Sequence, residues 1–233
     1  TRCLSDWSSD VCSSDLAHSN LGNVLQRQKQ FTEAIAAYRQ AIQIEPQFAQ
    51  AHNNCGIALE ALGQIEEALA AYAAAFAVDP QYAEAYYNRG MLFQQLQRLD
   101  DAIASFERVA ALEPNHPDIA SLLSAAYNNR GVDHNARRRY SAALLDYDQA
   151  LAFGSPNASL LTNRANTLRH LKDVAGALAG YQAAIRLEPT FSSAAFRTCA
   201  NSALSAAIPN PSVTYFFPGI SGTHAYSIRR AST

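Results

Sequence analysis

The sequence predicts an all-α chain in which five helix-turn-helix units stack into a right-handed solenoid. Three observations carry this reading: prolines recur with the same residues behind them, the apolar residues keep a helical period, and an alanine-rich composition holds only 10 Gly in 233 residues. Behind Pro46, Pro80, Pro114 and Pro189 stand, five positions back, Ala41, Ala75, Val109 and Ala184. Eight back are Tyr38, Tyr72, Phe106 and Tyr181, and twelve back are Ala34, Ala68, Ala102 and Ala177. A further copy carries Gly131, Ala143, Tyr147 and Ala150 in these columns, its proline displaced by one place to Pro156. No such unit buries its own apolar face, so neighbours must stack, with the first helices lining a concave side.

Taken in order, residues 1–16 stand outside the pattern. The segment DWSSDVCSSDL, 6–16, repeats Ser-Ser-Asp without helical or strand period and resembles an in-frame translation of a sequencing-adapter oligonucleotide. It is therefore expected to be non-native, and it lacks the basic start and apolar run of a secretory signal. The repeats are expected at 15–48, 49–82, 83–116, 124–157 and 158–191. Each has a small first-helix residue, Gly22, Gly56, Gly90, Gly131 or Ala165, that lets two helices approach. The aromatic column fills the space above it, and proline ends the second helix. This small column steps by 34 residues except from Gly90 to Gly131, a step of 41. The surplus, placed at 117–123, is about two helical turns. Pro117 and Asp118 suit a first turn, and Ile119, Leu122, Leu123 and Ala126 continue an apolar stripe. One long helix from about Pro117 to Ala136 is expected, with a loop insertion as the alternative. After Phe191 a partial sixth unit begins, SSAAFRTCANSAL, but Arg197 and Cys199 break its columns. Residues 192–233 then read either as a cap followed by a tail or as a lost reading frame.

The columns resemble the tetratricopeptide repeat over residues 15–191. The family's large first-helix aromatic is weak here, replaced by His18, His52, Tyr86, Tyr127 and Leu161. The resemblance implies an α-solenoid of five tetratricopeptide repeats that serves as a protein–protein interaction scaffold and is not an enzyme. Two residues before each small residue stands an asparagine: Asn20, Asn54, Asn88, Asn129 and Asn163. The column keeps phase through the step of 41, while its neighbours Ser19, Asn53, Tyr87, Asn128 and Thr162 vary. Asparagine is a middling helix former, so five at one helical position need a reason. Each amide could brace the adjoining repeat. Alternatively the five form a ladder that grips the backbone N–H and C=O groups of an extended polypeptide. The phrases AHSNLGNVL and AHNNCGIAL, followed by EAIAAYRQAI and EALAAYAAAF, are similar to repeats that precede the catalytic domain of O-linked N-acetylglucosamine transferases. That similarity implies a peptide-holding role for the five asparagines. It also implies a second function, the substrate-recruiting region of a bacterial glycosyltransferase of this kind whose catalytic domain is absent here.

Other classes are excluded on composition. A net charge of −2 recruits neither nucleic acid nor an anionic membrane, and Arg137-Arg138-Arg139 reads as a solvated turn. RNA-reading helical repeats would show a basic groove. A clamp for C-terminal carboxylates needs cations where this chain has Ser19, Asn23, Asn54, Glu84 and Asn88. The apolar run from Ala68 to Val78 is too short to span a bilayer. Cys3, Cys12, Cys55 and Cys199 make neither a disulfide framework nor a metal knuckle. His18 and His52 share a column without accompanying ligands, Gly-rich phosphate loops are missing, and Asp146 and Asp148 point in different directions on one helix. No catalytic residue, metal or cofactor is expected, and the chain is placed in the cytoplasm.

Overall fold

The computed structural model describes residues 9–188, with side chains from Ser14 onward. Ten helices follow in order: α1 Ser9–Arg27, α2 Phe31–Ile44, α3 Ala49–Ala61, α4 Ile65–Val78, α5 Ala83–Gln95, α6 Leu99–Leu112, α7 Ile119–Ala136, α8 Tyr140–Phe153, α9 Ala158–His170 and α10 Val174–Leu187. The described residues contain no strand, so the all-α solenoid class stands. Two compact units divide the chain. Among the described residues, the first comprises 9–130 with Gln149–Ser155, and the second Gly131–Asp148 with 156–188. In the first, α1 packs on α2, α3 on α4 and α5 on α6; in the second, α9 packs on α10.

Why each pair closes so tightly is visible at its small residue. A Cβ added at Gly22 would lie 2.5 Å from Tyr38 Cε1, at Gly56 2.7 Å from Tyr72 Cε1, at Gly90 2.6 Å from Phe106 Cε1, and at Gly131 2.7 Å from Tyr147 Cε1. The ring of the second helix lies against bare backbone of the first, a contact that any side chain would block. Tyr38, Tyr72, Phe106 and Tyr147 are fully buried as a result. The fifth pair reverses the arrangement: Ala165 is on the first helix, and the opposing residue on the second is Gly180, whose added Cβ would meet Ala165 Cβ at 2.9 Å. Ala34, Ile35, Cys55, Ala58, Leu59, Ala68 and Leu92 join the rings of Tyr38 and Tyr72 in one core. Burial of that kind, at about 25 cal/mol per Å² of apolar surface, drives the stacking.

Every turn within a pair is built alike. The residue at its centre has positive φ: Lys29 (62°), Gly63 (73°), Gln97 (58°), Arg138 (59°) and Lys172 (66°). The next residue's N–H reaches back to a carbonyl five positions earlier, as in Gln30 N to Leu25 O at 2.9 Å and Arg98 N to Phe93 O at 2.9 Å. This double bond pattern closes a helix whose last carbonyls would otherwise lack partners. The exposed turn of the fourth pair is Arg137–Arg139. Between pairs, Gln47 N donates to Glu45 Oε1 and Gln81 N to Asp79 Oδ1, both at 2.9 Å, fixing the bends around Pro46 and Pro80. Where the proline is displaced, Asn157 caps α9 instead, accepting from Leu160 N.

Helix α7 is longer than α3, α5 and α9, the first helices of their pairs. It runs 18 residues against 13 for α3, α5 and α9, and begins at Ile119, so Pro117 and Asp118 belong to the preceding turn. Ile119, Leu123 and Ala126 are buried along it. A clear departure lies at the other end. Helix α1 begins at Ser9, inside the stretch that shows no helical period. Once a helix is nucleated by a docked segment, each added residue costs little, so propagation does not require an apolar stripe. Trp7, Pro189, Arg197, Cys199 and the expected partial sixth repeat lie outside the described residues. Among those described, no helix is long and apolar enough to cross a membrane.

Candidate functional site

In the first unit α1, α3 and α5 form a row, each packed against the next. Amides of all three helices and a carboxylate of α5 are linked along this row. Asn54 Nδ2 donates to Asn23 Oδ1 on the preceding first helix at 3.0 Å, and Asn88 Nδ2 donates to Asn53 Oδ1 in the same sense at 2.9 Å. Asn53 Nδ2 in turn lies 3.4 Å from both Asn54 Oδ1 and Glu84 Oε1. A chain of amides therefore links three successive first helices. Asn53 is fully buried, Asn54 and Asn88 are half-buried, and Asn20 is exposed on α1.

The buried tyrosines feed the same face from behind. Tyr38 Oη lies 2.8 Å from Asn23 Oδ1 and 2.9 Å from Gln26 Oε1, and Tyr72 Oη donates to Glu60 Oε2 at 2.9 Å. Burial, with Cys55 nearby, pushes the Tyr38 hydroxyl up to about 12. Burial raises Tyr72 further, and the adjacent Glu60 carboxylate adds to it. Both remain neutral donors at any physiological pH. At the far edge Tyr82 Oη donates to Glu84 Oε2 at 2.8 Å.

The five predicted asparagines thus differ in their surroundings. Asn54 and Asn88 are tied to the preceding repeat, whereas Asn20 and Asn129, both exposed, make no side-chain hydrogen bond among the described residues. Asn163 is half-buried on α9 in the second unit, and its carbonyl accepts from Thr167 Oγ1 at 3.0 Å. Sequence analysis gives no binding role to Asn23, Asn53, Gln26 or Glu60. One signal could have found two of them: twelve positions before Tyr38 and Tyr72 stand the polar residues Gln26 and Glu60, which meet the two hydroxyls. The expected separation of Asp146 and Asp148 holds: Asp146 Oδ2 sits 3.0 Å from His134 Nδ1, and Asp148 Oδ1 2.6 Å from Arg164 Nε. His52 Nε2 is 3.1 Å from Pro46 O, a local turn contact. Among the described residues no three His, Cys, Asp or Glu side chains gather as a metal site would require.

The fold has many solved counterparts. A tetratricopeptide protein, YrrB, described as having an unusual peptide-binding site, aligns over 84% of this chain and 95% of its own at 17% identity and a TM-score of 0.55. MamA from Desulfovibrio magneticus RS-1 aligns over 77% and 98% at 17% identity and 0.51. The first such domain of human RPAP3 aligns over 52% and 96% at 27% identity and 0.50. A search of curated proteins finds no match. A model described as TPR repeat matches residues 22–63, and one described as Tetratricopeptide repeat matches 55–117 and 128–190. With those matches falling on the same helix pairs that the glycine and tyrosine columns hold together, the chain belongs to the tetratricopeptide repeat family.

Proposed function

We propose that this chain is a non-catalytic scaffold that binds an extended polypeptide segment along its first helices, through a ladder made by Asn20, Asn54, Asn88, Asn129 and Asn163. The observation that carries the reading is the linked row of amides on α1, α3 and α5, in which Asn54 and Asn88 take the same partner direction one repeat apart. A primary amide offers two N–H donors and two acceptor sites, so one bond to the preceding repeat leaves capacity for a ligand backbone. Neighbouring helices lie ~8–10 Å apart and an extended chain advances ~3.3 Å per residue, so one asparagine meets about every third ligand residue. That period suits a polyproline-like segment. Each neutral bond contributes about 0.5–1.5 kcal/mol, from which the ligand's ordering cost is subtracted. Binding is accordingly weak, tolerant of sequence and improved by length.

The structure also decides which substitutions test this. Asn88→Ala would orphan the buried Asn53 carbonyl oxygen and lower stability whether or not peptide binds. Asn20 and Asn129 carry no such bond. Titration calorimetry of an uncharged Pro/Ser/Thr peptide of about twelve residues should show Asn20→Ala with Asn129→Ala weakening binding by roughly two- to tenfold, with unchanged melting. Unaltered affinity in that variant would remove these asparagines from the ligand site.

A further inference from the structure

The inner face between α3 and α5 is unusual in its charge. Glu60 on α3 is half-buried and Glu84 on α5 exposed, and neither makes an ion pair among the described residues. Both carboxylates are instead oriented by neutral donors. Glu60 accepts from Tyr72 Oη at 2.9 Å and faces Gln95 Nε2 at 3.5 Å, and Glu84 accepts from Tyr82 Oη at 2.8 Å with Asn53 Nδ2 at 3.4 Å. Helix α3 carries no cation. The one cation of α5, Arg89, is turned away: its guanidinium lies 4.5 Å from the Phe76 ring centre and 5.5 Å from that of Tyr86, and Nε donates to Ser105 Oγ on α6. Arg27 ends α1 as an exposed cation at the edge of this row. What α3 and α5 offer a ligand is therefore a run of amides flanked by two fixed negative charges.

We propose that this part of the groove selects extended segments carrying lysine or arginine side chains and disfavours segments rich in carboxylates. The inference rests on the groove reading above and names its partner chemistry. Amides take the ligand backbone, and the cationic side chains reach Glu60 and Glu84. Because the tyrosines hold the carboxylates in place, a ligand cation meets an acceptor that is already oriented, which reduces the ordering cost of the pair. A partly exposed pair is worth roughly threefold in affinity, so two engaged side chains give about tenfold.

The test uses the full chain and three peptides of about twelve residues on one Pro/Ser/Thr background: uncharged, with two lysines, and with two glutamates. Lysines are set roughly three residues apart to follow the ligand period. Fluorescence anisotropy at low salt should rank lysine about tenfold tighter than uncharged, and glutamate weaker than both. Glu60→Gln with Glu84→Gln should abolish the ranking, whereas Glu33→Gln with Glu66→Gln, at exposed carboxylates of α2 and α4, should preserve it. Equal binding of all three peptides overturns the charge selection while the groove reading stands. A lysine preference that survives Glu60→Gln with Glu84→Gln overturns it too, as a diffuse effect of net charge. If none of the peptides binds, the groove reading falls and this inference falls with it.

Discussion

The glycine at the helix contact stands on the first helix in the second pair and on the second helix in the fifth, and moving one methyl tests whether the two positions share one space. In the second pair the positions are Gly56 and Ala71; in the fifth, Ala165 and Gly180. A methyl added at Gly56 would sit 2.7 Å from Tyr72 Cε1, 2.8 Å from Cδ1 and 3.2 Å from Cζ, well inside the ~3.5–4.0 Å at which carbons attract. Tyr72 is fully buried and its hydroxyl is held by Glu60, so the ring has nowhere cheap to go. Overpacking of this sort costs about 2 kcal/mol, and replacing glycine in a helix returns about 1 kcal/mol, which leaves Gly56→Ala destabilised by about 1 kcal/mol. Ala71→Gly alone loses about 1 kcal/mol of helix propensity. If the effects were independent, the double variant would lose about 2 kcal/mol. It instead recreates the fifth pair, where Ala165 faces Gly180 and both Ala165 and Tyr181 are buried, and should fall within about 0.5 kcal/mol of the parent. Urea denaturation followed by circular dichroism on all four proteins gives the coupling. Additive losses would refute the claim that the two positions share one space.

The remaining predictions concern the turns and alkaline pH. Lys29→Gly, Gln97→Gly and Lys172→Gly should each raise stability by up to about 1 kcal/mol, because a side chain at positive φ carries a cost that glycine avoids, and Gly63→Ala should lower it by a similar amount. Urea midpoints that shift the same way for all four would contradict the left-handed turn assignment. Tyr38 and Tyr147 are pushed up to about 12 by burial, and Tyr72 moves in the same direction. An unfolded chain releases these protons near pH ~10, so their contribution is complete below that pH and falls between about 10 and 12, by at most ~1.4 kcal/mol per pH unit for each tyrosine. Denaturant midpoints at pH ~9 and ~11 check it; a flat profile would mean that the hydroxyls ionise equally in the folded chain.

Much of the fold was legible because it rests on residues that cannot be exchanged. Gly22, Gly56, Gly90 and Gly131 each face a buried ring, so both members of every contact recur in the sequence. The same logic explains what was missed. The turn at Lys29, Gln97, Arg138 and Lys172 needs only a residue that tolerates the left-handed region, and lysine, glutamine and arginine all satisfy it, with Gly63 alone carrying the usual signal. The site was half legible. A uniform column announced Asn54 and Asn88, but their partners stand in mixed columns, Asn23 with Ile57, Met91, Val132 and Asn166, and Asn53 with Ser19, Tyr87, Asn128 and Thr162. A bond between repeats needs one matched pair at each junction, and matched pairs leave no uniform column.

Under the proposed ladder, bracing and ligand binding by these asparagines are not alternatives, because a tied amide is already oriented for a ligand. A free half-exposed amide samples several rotamers, and fixing it on binding costs about 0.5–1.5 kcal/mol, comparable to the hydrogen bond gained. Asn88 avoids that cost if its Nδ2 is already held by Asn53. Asn53 itself is fully buried and out of a ligand's reach, so it separates the two roles. Asn53→Ala leaves the Asn88 side chain intact but untied. Titrated with the uncharged peptide, to avoid the carboxylate Glu84 that Asn53 also touches, this variant should bind roughly three- to tenfold more weakly than the parent. Thermal melting must show it folded, since a buried amide lost from the repeat junction also lowers stability by about 1–3 kcal/mol. Full affinity in a folded Asn53→Ala protein would show that the tie to the preceding repeat serves stability alone.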